Sequence, residues 1–172
     1  DNLTRAIAWA VETMKADGLE NVHAEKVMVP HWVRGRESAE IVDPPRHSIT
    51  MLGLGGSAAT PPNGVEAEVL VVNSFDDLHD KAASARGRIV LFNVPYTNYS
   101  ETVTYRTSSA RVAERYGAVA VLMRSVGPPG LRTAHTGSAH DTSAAPPKIP
   151  AASIAAEDAN RIARLDARGR RV

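Results

Sequence analysis

The sequence predicts an α/β domain in which a barrel or sandwich of short strands is flanked by helices. Strand candidates after residue 37 are short and numerous, and they lie at residues 38–43, 48–52, 67–72, 88–93, 118–123 and 149–154. Helical patterns separate or follow these strands, yet only one strand–helix–strand unit, residues 88–123, stands out. The chain is therefore too rich in strands for a doubly wound fold, and a barrel or sandwich with flanking helices fits better.

The first 29 residues are interpreted as a helix and a strand that stand apart from this domain. Four apolar residues share one face of a helix predicted over residues 2–17: Leu3, Ile7, Val11 and Met14. The loose alternation of residues 22–29 (VHAEKVMV) predicts a strand, and Pro30 ends it. We therefore divide the chain into three parts: residues 1–29, an inserted domain of residues 30–168, and a return segment of residues 169–172.

Three further helices are predicted over residues 75–85, 101–116 and 157–168. The second of them places four side chains on one face: Tyr105, Ser109, Val112 and Tyr116. A long connection over residues 124–150 is rich in glycine, proline, serine and threonine. Such a long irregular segment in a compact domain is usually functional or mobile. Residues 170–172 are interpreted as the first residues of a strand.

Composition excludes several classes of function. The chain has 20 basic and 19 acidic residues, and this balance gives no sign of a nucleic-acid partner. No apolar run approaches the ~20 residues that a membrane-spanning helix needs. The absence of cysteine excludes disulfides, thiol nucleophiles and thiolate metal ligands. The first residues, DNLTRAIAWAV, do not resemble a signal peptide, so we expect either a cytoplasmic protein or an export signal outside this chain.

A glycine-rich segment, residues 52–59 (LGLGGSAA), follows a strand candidate and invites comparison with a dinucleotide-binding turn. That motif requires a helix to begin at the glycines. Pro61 and Pro62 follow at once, so we expect a flexible surface hairpin instead. Ser57 lies in this segment without any base that the sequence pairs with it, and no G-x-S-x-G nucleophile turn occurs.

Histidine spacing offers one alternative function. His135 and His140 are five residues apart and Asp141 follows them, so a small metallohydrolase could use these three as metal ligands. The spacing matches no helical H-E-x-x-H pattern, and our prediction assigns no metal ligand and no catalytic residue to this chain. Trp32, between His31 and Arg34, is the better surface candidate, because aromatic residues beside arginine often mark recognition sites. Tyr96 and Tyr99 are explained more simply as cover for the core.

Four segments, taken in order, resemble one family. They are residues 20–37 (ENVHAEKVMVPHWVRGRE), the strand–helix–strand stretch 87–126 with its YR pair and GAVA strand, AHTGS at 134–138, and KIPAASIAAEDANRIARL at 148–165. Together they resemble the N-terminal half of the carboxypeptidase Q family, also called plasma glutamate carboxypeptidases, and its bacterial relatives. The members of that family are secreted zinc exopeptidases of the aminopeptidase type. The resemblance covers most of the chain.

The resemblance implies a layout and a role. Residues 1–29 would be the first helix and strand of a peptidase domain, and the inserted part would be a protease-associated domain, a swivelling β-barrel with flanking helices. The zinc ligands of the family lie in a part that follows, and no segment here matches them, so zinc is implied for the parent enzyme only. The implied location is secreted or periplasmic. Implied partners are the peptidase domain, short peptide substrates and, as an open option, a second copy in a homodimer.

Residues near the domain junction are the candidates for facing the substrate cleft of the parent enzyme. They are His31, Trp32, Arg34, His135, Thr136 and Gly137. A free-standing module that binds peptides or proteins is the alternative from another class. The N-terminal helix discriminates between the two, because a helix that belongs to an absent domain loses the partner of its apolar face.

Overall fold

The computed structural model describes residues 1–43, 45–141 and 145–172. These residues form two compact units, Asp1–His31 (unit 1) and Trp32–Val172 (unit 2). The helices and strands in chain order are α1 (Asn2–Ala16), β1 (Ala39–Ile41), β2 (His47–Ile49), β3 (Met51–Gly53), β4 (Val69–Val72), α2 (Phe75–Asp80), α3 (Ala82–Ala85), β5 (Ile89–Phe92), α4 (Tyr99–Arg115), β6 (Ala120–Arg124), β7 (Ala151–Ile154) and α5 (Ala156–Asp166).

Unit 1 consists of α1 and an irregular segment. Asp1 caps the helix, since its carboxylate accepts a hydrogen bond from the Thr4 N–H at 2.9 Å. Gly18 takes a φ of 83° just beyond the last turn, which ends the helix as predicted. No residue of α1 is buried. A unit of this size holds nothing that could bury the apolar face of its only helix.

The strand predicted over residues 22–29 is wrong for this structure, in which that segment forms no regular element. A strand exists only where its backbone groups pair with a neighbouring strand, and unit 1 has no second strand to supply them. The sequence pattern was consistent with a strand, but a pattern cannot supply the partner.

Unit 2 is built around a five-stranded sheet with the order β3-β7-β6-β5-β4. Strands β4, β5, β6 and β7 run parallel to one another, and β3 is antiparallel to β7. Strands β1 and β2 form a separate antiparallel pair. The α/β class with short strands and flanking helices is confirmed. The structure also adds a second strand–helix–strand connection to the single one predicted, because β4 leads through α2 and α3 to its parallel neighbour β5.

The predicted strand 48–52 is divided between the two sheets at Thr50. The Thr50 N–H donates to the Asp158 carboxylate at 2.8 Å, and its carbonyl accepts from the Ala155 N–H at 2.9 Å. The chain thereby leaves β2 and enters β3 one residue later. This division depends on a carboxylate more than a hundred residues away, so local sequence could not reveal it.

Successive apolar side chains of the parallel strands point to opposite faces of the sheet, so each face has its own hydrophobic core. One face packs against α2, α3 and α4, with a core that includes Val72, Leu78, Val90, Phe92, Ala110 and Val121. The other packs against α5 and the β1–β2 pair, with a core that includes Ile41, Ile49, Leu91, Ile154 and Ile162. The face of α4 predicted from the sequence is confirmed, since Ser109 is buried and its three companions pack on the first core.

Strand β4 lies at one edge of the sheet. The Val69 N–H donates to the Val172 carbonyl at 2.7 Å, although residues 170–172 form no strand in the structure. The ammonium of Lys81 donates to the Val71 carbonyl at 3.1 Å on the same strand. None of the described helices combines the length and the apolar character that crossing a membrane requires.

Candidate functional site

The structure brings three irregular segments of unit 2 together beside the start of β7. They are residues 32–37, the glycine-rich residues 53–57, and residues 134–139 of the long connection. We name the group formed by Trp32, Arg34, Glu37, Thr136 and Gly137 the junction cluster. All five residues belong to unit 2. His31, the remaining candidate from the first segment, is the last residue of unit 1 and is exposed.

Two contacts fix the side chain of Trp32, one at its indole N–H and one on the face of its ring. Its indole N–H donates to the Ser57 carbonyl at 3.2 Å, and the Arg34 guanidinium lies over its ring at 5.4 Å from the centroid. The residue keeps 37% of its surface exposed. An indole that is fixed by a hydrogen bond and a cation–π contact can meet a ligand with little loss of conformational entropy.

Arg34 links all three segments of the cluster. Its Nη2 donates to the Gly53 carbonyl at 2.8 Å and to the Thr136 hydroxyl at 3.3 Å. Its Nε lies 3.5 Å from a carboxylate oxygen of Glu37, and the same oxygen accepts the Gly53 N–H at 2.7 Å. The sequence predictions missed Glu37. The i, i+3 spacing of opposite charges in RGRE was the only local signal for it.

The glycine-rich segment is hydrogen-bonded to the other two segments of this cluster, and it does not form the flexible surface hairpin that the sequence predicted. The Gly55 N–H donates to the Gly137 carbonyl at 2.8 Å, and the Gly55 carbonyl accepts from the Ala139 N–H at 2.8 Å. The hydroxyl of Ser57 accepts the Ala151 N–H at 2.7 Å at the start of β7. Ser57 therefore fixes this segment to β7, and Leu54 between these contacts is fully buried.

The third segment is fixed from both sides. The His135 N–H donates to the Ser125 hydroxyl at 2.9 Å, and the His135 Nδ1 lies 2.8 Å from the Val126 carbonyl. Gly137 takes a φ of 152°, and a methyl group there would overlap the guanidinium of Arg106 on α4. The backbone therefore favours glycine at this position, and the Arg106 side chain occupies the space that a methyl group would take. The part of the long connection that carries the candidates is anchored at several points.

A second anchor of the long connection lies at the first turn of α5. The carboxylate of Asp158 accepts from the Thr50 N–H at 2.8 Å and from the Arg132 Nε and Nη2 at 3.2 and 3.1 Å, while the His47 ring lies 3.4 Å away. Burial of this side chain acts to raise its pKa. The hydrogen bonds from Thr50, Arg132 and His47 outweigh that effect, so the pKa lies below the ordinary value of 3.8.

The three residues of the metallohydrolase alternative do not form a metal centre. His135 directs Nδ1 to the Val126 carbonyl, and His140 directs its own Nδ1 to the Asp141 carbonyl at 2.7 Å. Among residues 1–43, 45–141 and 145–172, no three histidine, cysteine, aspartate or glutamate side chains are close enough together to hold a metal ion. Zinc binding needs three or four such ligands, so the residues described here do not fit a zinc ion.

Comparisons with known proteins point to one family. The family model described as PA domain matches residues 46–162. Carboxypeptidase Q of Bos taurus is 48% identical over 171 residues, which are 99% of this chain but 36% of that protein. A crystal structure of a peptidase M28 precursor from Shewanella amazonensis SB2B matches with a TM-score of 0.84 at 31% identity, over 98% of this chain and 39% of that one.

A third relative is more distant. BSAP, a zinc aminopeptidase from Bacillus subtilis, matches with a TM-score of 0.55 at 20% identity, over 94% of this chain and 35% of that chain. This likeness concerns the fold alone. In each comparison the chain spans only about a third to two fifths of the other protein's length.

Proposed function

The chain belongs to the PA domain family, and from that premise we propose that it is the non-catalytic inserted domain of a zinc-dependent exopeptidase similar to carboxypeptidase Q. One observation carries the proposal: 99% of this chain aligns with carboxypeptidase Q at 48% identity, yet it spans 36% of that protein. The remaining length would hold the peptidase domain, its zinc ions and the residues that hydrolyse short peptides. The parent enzyme would be secreted or periplasmic.

Unit 1 supports this assignment because its helix lacks a partner of its own. On the apolar face of α1, Leu3 is 69% exposed and Ile7 is 48% exposed, on a helix without a buried residue. An apolar helix surface of this kind is expected to pack against another element. We propose that residues 1–29 belong to the peptidase domain of the parent enzyme, that residues 30–168 form the inserted domain, and that residues 169–172 lead back toward the peptidase domain.

The junction cluster is proposed to line the substrate cleft of the parent enzyme. Trp32 offers a rigid, half-exposed aromatic surface, and Thr136 and Gly137 lie in a segment that contacts Arg34 and the Arg106 side chain of α4. His31 and His135, beside these residues in the sequence, are included as cleft candidates. A free-standing binding module has weaker support, since 99% of this chain aligns with only 36% of carboxypeptidase Q.

The test uses the full-length parent enzyme and the variant Trp32→Ala. The KM for unblocked dipeptides should rise about fivefold, because an interface aromatic of this kind contributes on the order of 1 kcal/mol to binding, while kcat changes little. Tyr96→Ala is the matched control, since Tyr96 is also an aromatic residue of unit 2 with 37% of its surface exposed. An unchanged KM in Trp32→Ala, with the fold intact by circular dichroism, would contradict the cleft assignment.

A second arm tests the non-catalytic role. This chain alone, incubated with zinc and the same dipeptides, should neither hydrolyse them nor retain zinc in stoichiometric amount. Zinc-dependent turnover that disappears in His135→Ala or His140→Ala would instead identify a small metalloenzyme. The dimerisation role is checked separately, by measuring the mass of the parent enzyme in solution.

A further inference from the structure

Arg106 carries a positive charge that no carboxylate of the described residues neutralises within ion-pair distance. Its Nη2 donates to the Tyr99 hydroxyl at 3.2 Å, and its guanidinium lies 5.8 Å from the centre of the Tyr99 ring. Its Nε is buried without a hydrogen-bond partner among the described residues. Arg34 and Arg132, which also fix the irregular segments, each have a carboxylate partner.

A second unpaired polar atom lies one turn further along the same helix. The hydroxyl of Ser109, which is fully buried, has no hydrogen-bond partner in the described part of the chain. Residues three apart on a helix are neighbours on one face, so Arg106 and Ser109 occupy neighbouring positions of α4. Buried donors in native proteins almost always have a hydrogen-bond partner. Two buried donors without one point to a ligand, an ion or an ordered water.

The position of Arg106 relates it to the junction cluster. Its guanidinium packs against Gly137, while the Arg34 guanidinium bonds to the neighbouring residue, Thr136. Two cations therefore flank one turn. Among the residues that the structure describes, Glu37 alone offers a carboxylate within ion-pair distance of either, and it lies beside Arg34. The local net charge is positive, and the planar fork of arginine matches a carboxylate in shape and charge.

We propose that Arg106, with the Tyr99 hydroxyl beside it, is a binding site for a carboxylate group. The carboxylate comes either from the C-terminus of a short peptide in the cleft or from an acidic side chain of the peptidase domain. The first source rests on the proposed function of the junction cluster. In both cases the guanidinium donates to the carboxylate oxygens, and the Tyr99 hydroxyl donates to one of them while it accepts from Arg106.

The direct test is a titration of this chain with alanylalanine and with its C-terminal amide, followed by the NMR shifts of backbone amides. The dipeptide acid should shift the amides of residues 135–137 and bind at least about tenfold more tightly than the amide. Arg106→Gln should remove this preference. Arg115→Gln is the matched control, because Arg115 is an exposed arginine on the same helix, and it should keep the preference.

Two further variants protect the test against misfolding. Arg106→Lys keeps the positive charge but loses the planar guanidinium that can donate two parallel hydrogen bonds to a carboxylate, so it should bind the dipeptide acid more weakly than the native chain. Tyr99→Phe removes only the hydroxyl and should also weaken the preference for the acid. Equal binding of acid and amide by the native chain, or no binding of either, would overturn the peptide source. If Arg106→Gln also leaves the melting temperature of the parent enzyme unchanged, the whole proposal is overturned and the unpaired donors are assigned to an ordered water.

The parent enzyme distinguishes the two sources of the carboxylate. If a peptide supplies it, Arg106→Gln should raise the KM for dipeptides about tenfold and leave the KM for their amides unchanged. If the peptidase domain supplies it, the KM should stay constant and the melting temperature should fall. Carboxylate binding by this chain together with an unchanged KM for Trp32→Ala would leave this site standing while the cleft assignment fails.

Discussion

The substitution Asp158→Asn tests the network that joins β2, α5 and the long connection. Asn keeps the size of the side chain and one oxygen acceptor, which can still take the Thr50 N–H, but it loses the negative charge. The amide NH2 group then stands where the other carboxylate oxygen accepted from Arg132, so the two charge-assisted bonds at 3.1 and 3.2 Å are lost, in a side chain that is only 4% exposed.

The expected loss follows from these contacts. Removing one partner of a fully buried ion pair costs about 3–5 kcal/mol. The Arg132 side chain is 47% exposed and can turn to water, so the cost here should fall to about 2 kcal/mol of unfolding free energy. For a chain of this length, that corresponds to a decrease of about 4–8 °C in the melting temperature.

The pH dependence supplies a second signature. Because the pKa of Asp158 is lowered in the folded state, the ionised carboxylate stabilises the fold fully above its ordinary value of 3.8, and this stabilisation is lost as the pH falls below that value. The native chain and Asp158→Asn should therefore differ most near neutral pH and converge in acid. Urea unfolding followed by circular dichroism, repeated between neutral and acidic pH, measures both effects.

Asp166→Asn is the control, since Asp166 is an exposed carboxylate on the same helix. It should change the unfolding free energy by less than about 0.5 kcal/mol. If the two variants lose equal stability, or if the difference between the native chain and Asp158→Asn does not shrink in acid, the reasoning about this network is refuted.

Two more substitutions test the packing around the site. Ser57→Ala should cost about 1–3 kcal/mol of unfolding free energy in a urea titration, because it leaves the Ala151 N–H at the buried start of β7 without an acceptor, and a loss below that range would show that water replaces the hydroxyl. Phe92→Ala should cost about 3–5 kcal/mol, because this fully buried ring contacts Phe75 at 5.4 Å between centroids; a loss under about 1 kcal/mol in thermal unfolding would contradict its place in the core.

Sequence patterns predicted most of the regular elements of unit 2. The bounds of the strands β4 to β7 and of the helices α4 and α5 lie within two residues of those predicted, because apolar runs and helical periodicity report burial directly. The split of the predicted helix 75–85 at Lys81 was not foreseen. Neither was the division at Thr50, which depends on the distant Asp158.

The candidate cluster was predictable only in part. The sequence singled out Trp32, Arg34, Thr136 and Gly137, and the structure brings these four residues together. Glu37 and Arg106 were not singled out as site residues, since their significance comes from contacts across the fold: Glu37 bonds to Gly53, and Arg106 packs against Gly137. Contacts between distant segments leave no periodic signal in a single sequence.

The edge of β4 bears on how this chain behaves at high concentration. An open strand edge offers unpaired amides and carbonyls that a strand of another molecule can extend into an intermolecular sheet. Here the Val172 carbonyl takes the Val69 N–H, and the Lys81 ammonium covers the Val71 carbonyl while it pairs with Asp77 at 2.9 Å. The charged Lys81 side chain blocks the Val71 carbonyl from pairing with a strand of another molecule. Replacing Lys81 would therefore allow self-association at this edge without removing any apolar residue from the core.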